Sequence, residues 1–111
     1  MKCINKENDE ILSYTFKMEE MPLTYCKRIF NAGYTFKKII LKLDDSTTKI
    51  VESSSDFYKI TKKKKVNSCK FDTFGRTDIS VTLDFINNII IIQSSTENNI
   101  SFIEDVLSNA I

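Results

Sequence analysis

Histidine and tryptophan are absent from this chain of 111 residues, and it has only one proline and two glycines. Without histidine, the side chain that most readily exchanges protons near neutral pH is missing, and so are Ser–His and Cys–His nucleophile pairs. Gly33 and Gly75 stand far apart, so no glycine-rich phosphate loop exists. Cys3, Cys26 and Cys69 are odd in number and widely separated. That suits reduced thiols in a cytoplasmic protein better than a disulfide framework, and no paired-cysteine spacing points to zinc. No apolar run approaches the ~20 residues of a membrane span. The opening segment, MKCINKENDE, is polar and offers no signal-peptide core. These absences lead to the expectation of a cytoplasmic protein with no membrane partner, no cofactor, no metal and no enzymatic activity.

What is present supports one α+β domain over residues 1–111, with 1–10 as a loose N-terminal segment. A chain of this length buries about 60–70% of the surface it exposes when unfolded, enough for a core without staples. The organising stretch is 79–92, ISVTLDFINNIIII. Apolar and polar residues alternate from Ile79 to Phe85, as in a strand with one face buried. Asn87-Asn88 tolerates positive φ and suits a two-residue turn, which would pair Ile86 with Ile89, Phe85 with Ile90 and Leu83 with Ile92. Ile79, Val81, Leu83, Phe85, Ile90 and Ile92 then share one face. Ile86, Ile89 and Ile91 fall on the other, where internal packing is the expected cover and a partner the alternative.

Elsewhere, 11–18 alternates and reads as a strand. Pro22 begins a short helix over about 22–32, with Leu23, Cys26, Ile29 and Phe30 on its apolar face and Gly33 as its stop. Residues 36–43 and 48–53 form a hairpin around an Asp44–Thr47 turn. Residues 57–63 and 66–74 read as two further strands, with Tyr58 and Ile60 inward and Lys64 and Lys65 near the bend. Ser94 and Glu97 fit a capping box for a C-terminal helix whose stripe is Ile100, Ile103, Val106, Leu107, Ala110 and Ile111. The expected order is β-α-β-β-β-β-β-β-α: a curved, mostly antiparallel sheet of about seven strands with the amphipathic last helix packed on it.

Charge is unevenly distributed although the net value is +1. Residues 59–76 hold seven basic side chains, Lys59, Lys62, Lys63, Lys64, Lys65, Lys70 and Arg76, against one acid, Asp72. Residues 77–111 hold five acids, Asp78, Asp84, Glu97, Glu104 and Asp105, and no base. Either region could steer a partner of opposite sign. Lysines beside Phe57, Tyr58, Phe71 and Phe74 could also neutralise phosphates and stack bases, which makes a single-stranded nucleic-acid module using 59–76 the alternative reading. Asp44 and Asp45, with Glu52 across the hairpin, are the carboxylates that a metal-dependent hydrolase would use; adjacent Asp residues in a turn are ordinarily turn formers. Cys26 and Cys69 read as core residues.

Size, the Lys-, Asn-, Ile- and Ser-rich usage of AT-rich mobile DNA, and charge polarity without a catalytic set together give a chain that resembles immunity proteins of contact-dependent growth inhibition systems. The resemblance is one of overall style and carries no motif, so it transfers no residues. It implies a small antitoxin-like inhibitor that neutralises a cognate toxin domain, often a nuclease, by covering it. Many such partners of nucleases are acidic, and this near-neutral chain departs from that pattern. A basic toxin would meet Asp78, Asp84, Glu97, Glu104 and Asp105; an acidic one would meet Lys62, Lys63, Lys64, Lys65, Lys70 and Arg76.

Overall fold

The computed structural model describes residues 1–33, 36–73 and 78–108. Its elements are β1 (Lys2–Asn8), β2 (Leu12–Lys17), α1 (Pro22–Asn31), β3 (Phe36–Leu43), β4 (Thr48–Val51), α2 (Ser54–Lys63), β5 (Val66–Thr73), β6 (Ser80–Asp84), β7 (Ile89–Ser94) and α3 (Glu97–Ser108). The strands form one seven-stranded sheet in the order β1-β2-β7-β6-β5-β3-β4, and every neighbouring pair is antiparallel. The α+β class, the single antiparallel sheet and the C-terminal helix packed on it agree with the sequence reading.

Alternation puts one side chain of every two on each face, and register aligns them across strands. Tyr14, Ile92, Val81, Phe71, Ile39 and Val51 form one continuous row across six strands, and all are buried. Phe16, Ile90, Leu83, Cys69 and Leu41 form the next. All three helices lie on this face. From α1, Cys26 Sγ approaches Cys69 Sγ at 3.8 Å, and the Phe30 ring meets Phe57 of α2 at 5.2 Å and Phe71 of β5 at 5.5 Å. Ile100, Ile103 and Leu107 bury the apolar stripe of α3, and Val106 is half-buried beside it. Ala110 and Ile111 lie outside the described residues.

Two elements differ from the sequence reading. Residues 54–63 are helical, not a strand. Ser53 takes the N-cap and its side chain accepts a hydrogen bond from the Asp56 amide at 3.2 Å, and the inward side chain is Phe57, with Tyr58 and Ile60 half-buried. Tyr58 and Ile60 mimic strand alternation only because the stretch is too short to show a second helical turn of apolar residues. Residues 2–8 are not loose: they pair along β2 as an edge strand. One strand is lost and one gained, which keeps the count at seven.

Two local details also differ. The β6–β7 pairs are Asp84–Ile89, Leu83–Ile90 and Val81–Ile92, so the connection is a four-residue loop, 85–88, with Asn88 at φ 57°. A slip of two residues preserves face parity, which is why Ile79, Val81, Leu83, Ile90 and Ile92 are buried as expected although the register is not; Phe85, expected on the same face, lies in the loop and is half-buried. For α3, the cap is Thr96, whose Oγ1 accepts from the Asn99 amide at 3.3 Å. Ser94 is instead the buried end of β7; its hydroxyl accepts from Asn99 Nδ2 and donates to Asp78.

Candidate partner-binding surfaces

The second face of the sheet is open. Thr15, Ile91, Thr82, Lys70, Ile40 and Ile50 form a row across its middle, flanked by Ser13, Gln93, Ser80, Asp72 and Lys38 on one side and Lys17, Ile89, Asp84, Ser68 and Lys42 on the other. These side chains are half-buried by one another or exposed, and among the described residues no helix lies over them. Ile89 and Ile91 therefore lack the internal cover expected of them. Lys70 sits within this face, 4.0 Å from Asp72, and not with Lys62, Lys63, Lys64 and Lys65.

At one end of the molecule, three segments meet around a cleft of about 530 Å³. Met21, Pro22 and Leu23 come from the start of α1, Thr61, Lys64, Lys65, Val66 and Asn67 from the α2–β5 junction, and Phe85, Ile86 and Asn88 from the β6–β7 loop. Met21, Leu23 and Ile86 are 75%, 41% and 66% exposed. Leu23 thus leaves the buried helix stripe where the sequence placed it. Single exposed apolar residues are ordinary; three converging on one cleft are not scattered.

Local hydrogen bonds hold this rim. Asp84 Oδ1 accepts from the amides of Ile86 at 2.9 Å and Asn87 at 3.0 Å, and Oδ2 accepts from Asn87 Nδ2. Burial opposes ionisation of Asp84, but the bonds from Asn87 and Ile86 outweigh it and hold the carboxyl below its ordinary pKa. Met18 N donates to Asn88 O and Phe85 N to Asn67 O, which fastens the loop to both sides. On the α1 side, the Tyr25 hydroxyl accepts from the amides of Glu19 and Glu20 at 2.9 and 3.1 Å.

The basic candidates divide. Lys62 and Lys63 end α2, where cations complement the helix C-terminus, and Lys64 and Lys65 follow; all four are exposed. Lys64 Nζ lies 3.3 Å from Asp45 Oδ2. Arg76 and Phe74 fall outside the described residues. Phe57 and Phe71 are fully buried, so they form no stacking platform beside the lysines. The acidic candidates divide too. Asp78 accepts from Ser95 and Ser94, which lowers its pKa, and Glu97 accepts from the Tyr14 hydroxyl at 3.5 Å. Glu104 and Asp105 lie further along α3, and Asp84 closes the opposite end of β6 from Asp78. The five acids do not form one patch.

The carboxylate pair at 44–45 is a turn. Asp45 accepts from the Thr47 hydroxyl and amide and pairs with Lys64, which depresses its pKa to about 2. No group of three or more potential ligand side chains gathers for a metal among the described residues. Among the described residues, no helix is long and apolar enough to cross a membrane. No protein-family model matches this chain, and no curated protein or solved structure matches it either.

Sequence reasoning found the lysines and Ile86 but missed the cleft. Its apolar rim is assembled from positions 21, 23 and 86, which no local pattern connects. The available signal was Ile86 itself, an apolar residue left over at a turn.

Proposed function

We propose that this chain is a small cytosolic protein that neutralises a protein partner by covering it, in the manner of an immunity protein or antitoxin acting on a toxin domain. The observation that carries the reading is the open sheet face. Seven strands at ~4.8 Å spacing span about 29 Å, the width needed for the ~800 Å² that each partner contributes to a standard protein interface. Isoleucines and threonines in its central row, with Lys38, Asp72, Lys42 and Asp84 beside them, give the mixed apolar and hydrogen-bonding surface of a non-obligate interface. Occlusion needs shape and surface charge, and no reacting side chain.

The test is co-expression with the product of the adjacent reading frame. The chain should relieve growth arrest caused by that product and co-purify with it in equal amounts. Thr82→Arg, at the centre of the open face, should abolish protection while leaving thermal stability intact. An adjacent product that is neither toxic nor bound would defeat the reading. Protection undiminished by Thr82→Arg and by Ile91→Arg would remove the sheet face as its basis.

A further inference from the structure

Resting on the reading that the chain binds a protein, we infer that the cleft between the start of α1, the end of α2 and the β6–β7 loop is a docking groove for an acidic segment of that partner carrying an apolar anchor side chain. The groove has the volume of a typical small-ligand pocket, enough for a few side chains. Met21, Leu23 and Ile86 offer an aliphatic floor, and the thioether of Met21 adapts to varied shapes. Charge decides what accompanies the anchor. Lys64 and Lys65 line the groove, and no carboxylate is among its lining residues.

Asp45 pairs with Lys64 at 3.3 Å and leaves Lys65 as the uncompensated lining cation, while the other nearby acids are committed elsewhere. Glu20 forks onto Arg28, Glu19 faces the N-terminal ammonium at 3.7 Å, and Asp84 holds its own loop. Lys62, Lys63 and Lys65 have no carboxylate within ion-pair distance among the described residues, so positive charge at this rim is left in excess. An acidic strip flanking an apolar side chain complements both features. A nucleic acid would satisfy the charge and leave the aliphatic floor unmatched, since Phe85 is the sole aromatic in the described wall. The rim is also pre-shaped: Asp84, Met18 and Asn67 fasten the loop that presents Ile86, which lowers the ordering cost of binding.

The experiment is selection of a random displayed-peptide library on the full chain at low salt, followed by anisotropy titration of the selected peptides. Enriched sequences should place Asp or Glu around Leu, Met or Phe. Affinity should fall about tenfold in Lys64→Gln/Lys65→Gln and in Ile86→Ser, and further as salt rises. Ile86 is exposed, so its substitution should leave the melting temperature unchanged. No enrichment, basic consensus sequences, binding indifferent to both variants, or a thymidine oligonucleotide binding more tightly at the same salt would each overturn the groove. Because the peptides replace the partner, their failure beside intact protection in the co-expression test refutes the groove alone. Failure of wild-type protection refutes the reading beneath it.

Discussion

Arg28 ties α1 to the end of α3, and its removal gives the sharpest test of how the helical layer is held. The side chain is buried, with 7% exposure, and its guanidinium forks onto the Glu20 carboxylate while Nη1 donates to the Leu107 carbonyl at 2.8 Å. That carbonyl lies in the last turn of α3, where helix carbonyls lack partners and where α3 supplies no cation of its own. Arg28 thus caps one helix from another. In Arg28→Met the methylene packing is roughly kept, but a buried carbonyl loses a charged donor, which costs about 2–3 kcal/mol. Glu20 is half-exposed and returns to water, so we assign most of the loss to the carbonyl. With a urea dependence of about 1.5 kcal/mol per molar, the midpoint should drop by about 1.3–2 M. Urea titration followed by far-UV circular dichroism reads this directly. Arg28→Lys should fall between, because an ammonium cannot fork. Glu20→Gln should move the midpoint much less than Arg28→Met. A midpoint for Arg28→Met within about 0.3 M of wild type would refute the capping argument.

Three further outcomes are expected. Glu20, Asp45, Asp78 and Asp84 all have folded-state pKa values below their ordinary ones, Asp45 near 2. The unfolded chain therefore takes up protons first as pH falls, so their contribution is complete above about pH 5 and is lost towards pH 2. A titration of melting temperature should show that acid limb, and Asp45→Asn should flatten its lowest part; a limb unchanged by the substitution would contradict the assignment. Asp84→Ala should destabilise by about 1–2 kcal/mol, since two loop amides lose their acceptor; equal urea midpoints would count against it. Cys3 is half-exposed while Cys26 and Cys69 are buried, and burial, with Cys26 beside it, pushes the Cys69 thiol up. One thiol per chain should react promptly with a disulfide reagent and two only on unfolding; three fast thiols would mean the α1–β5 contact is wrong.

The strands were legible where apolar and polar residues alternate around a core, as in β2, β3 and β6, and α1 and α3 where apolar residues recur at helical spacing. The elements that were not legible carry little apolar periodicity. β1 is an edge strand whose side chains are mostly exposed, and α2 buries only Phe57 fully. The loop at 85–88 hid a competition: Asn87-Asn88 favours a two-residue turn, but the Asp84 carboxylate captures the amides of Ile86 and Asn87 and lengthens it. The lysines at 62–65 were visible as a charge run. The groove beside them needed α2 to be a helix, since a strand there would have sent alternate lysines to opposite faces. Asp84, grouped with the acids in the sequence, holds the 85–88 loop, and Lys70, grouped with the basic run, sits in the open sheet face away from the lysines at 62–65.

The central claim is that the uncovered face of the sheet makes the broad contact with the partner, beside the groove at one end of the molecule. Strand β7 supplies its own internal standard, because Ile91 points to the open face while Ile90 and Ile92 point into the core. Isoleucine methyl spectra of the labelled chain, recorded as the adjacent reading frame's product is added, therefore separate the two faces residue by residue. Shifts at Ile40, Ile50 and Ile91 with Ile39, Ile90 and Ile92 unmoved are the predicted result. A saturable complex that leaves the open-face methyls unmoved would contradict it.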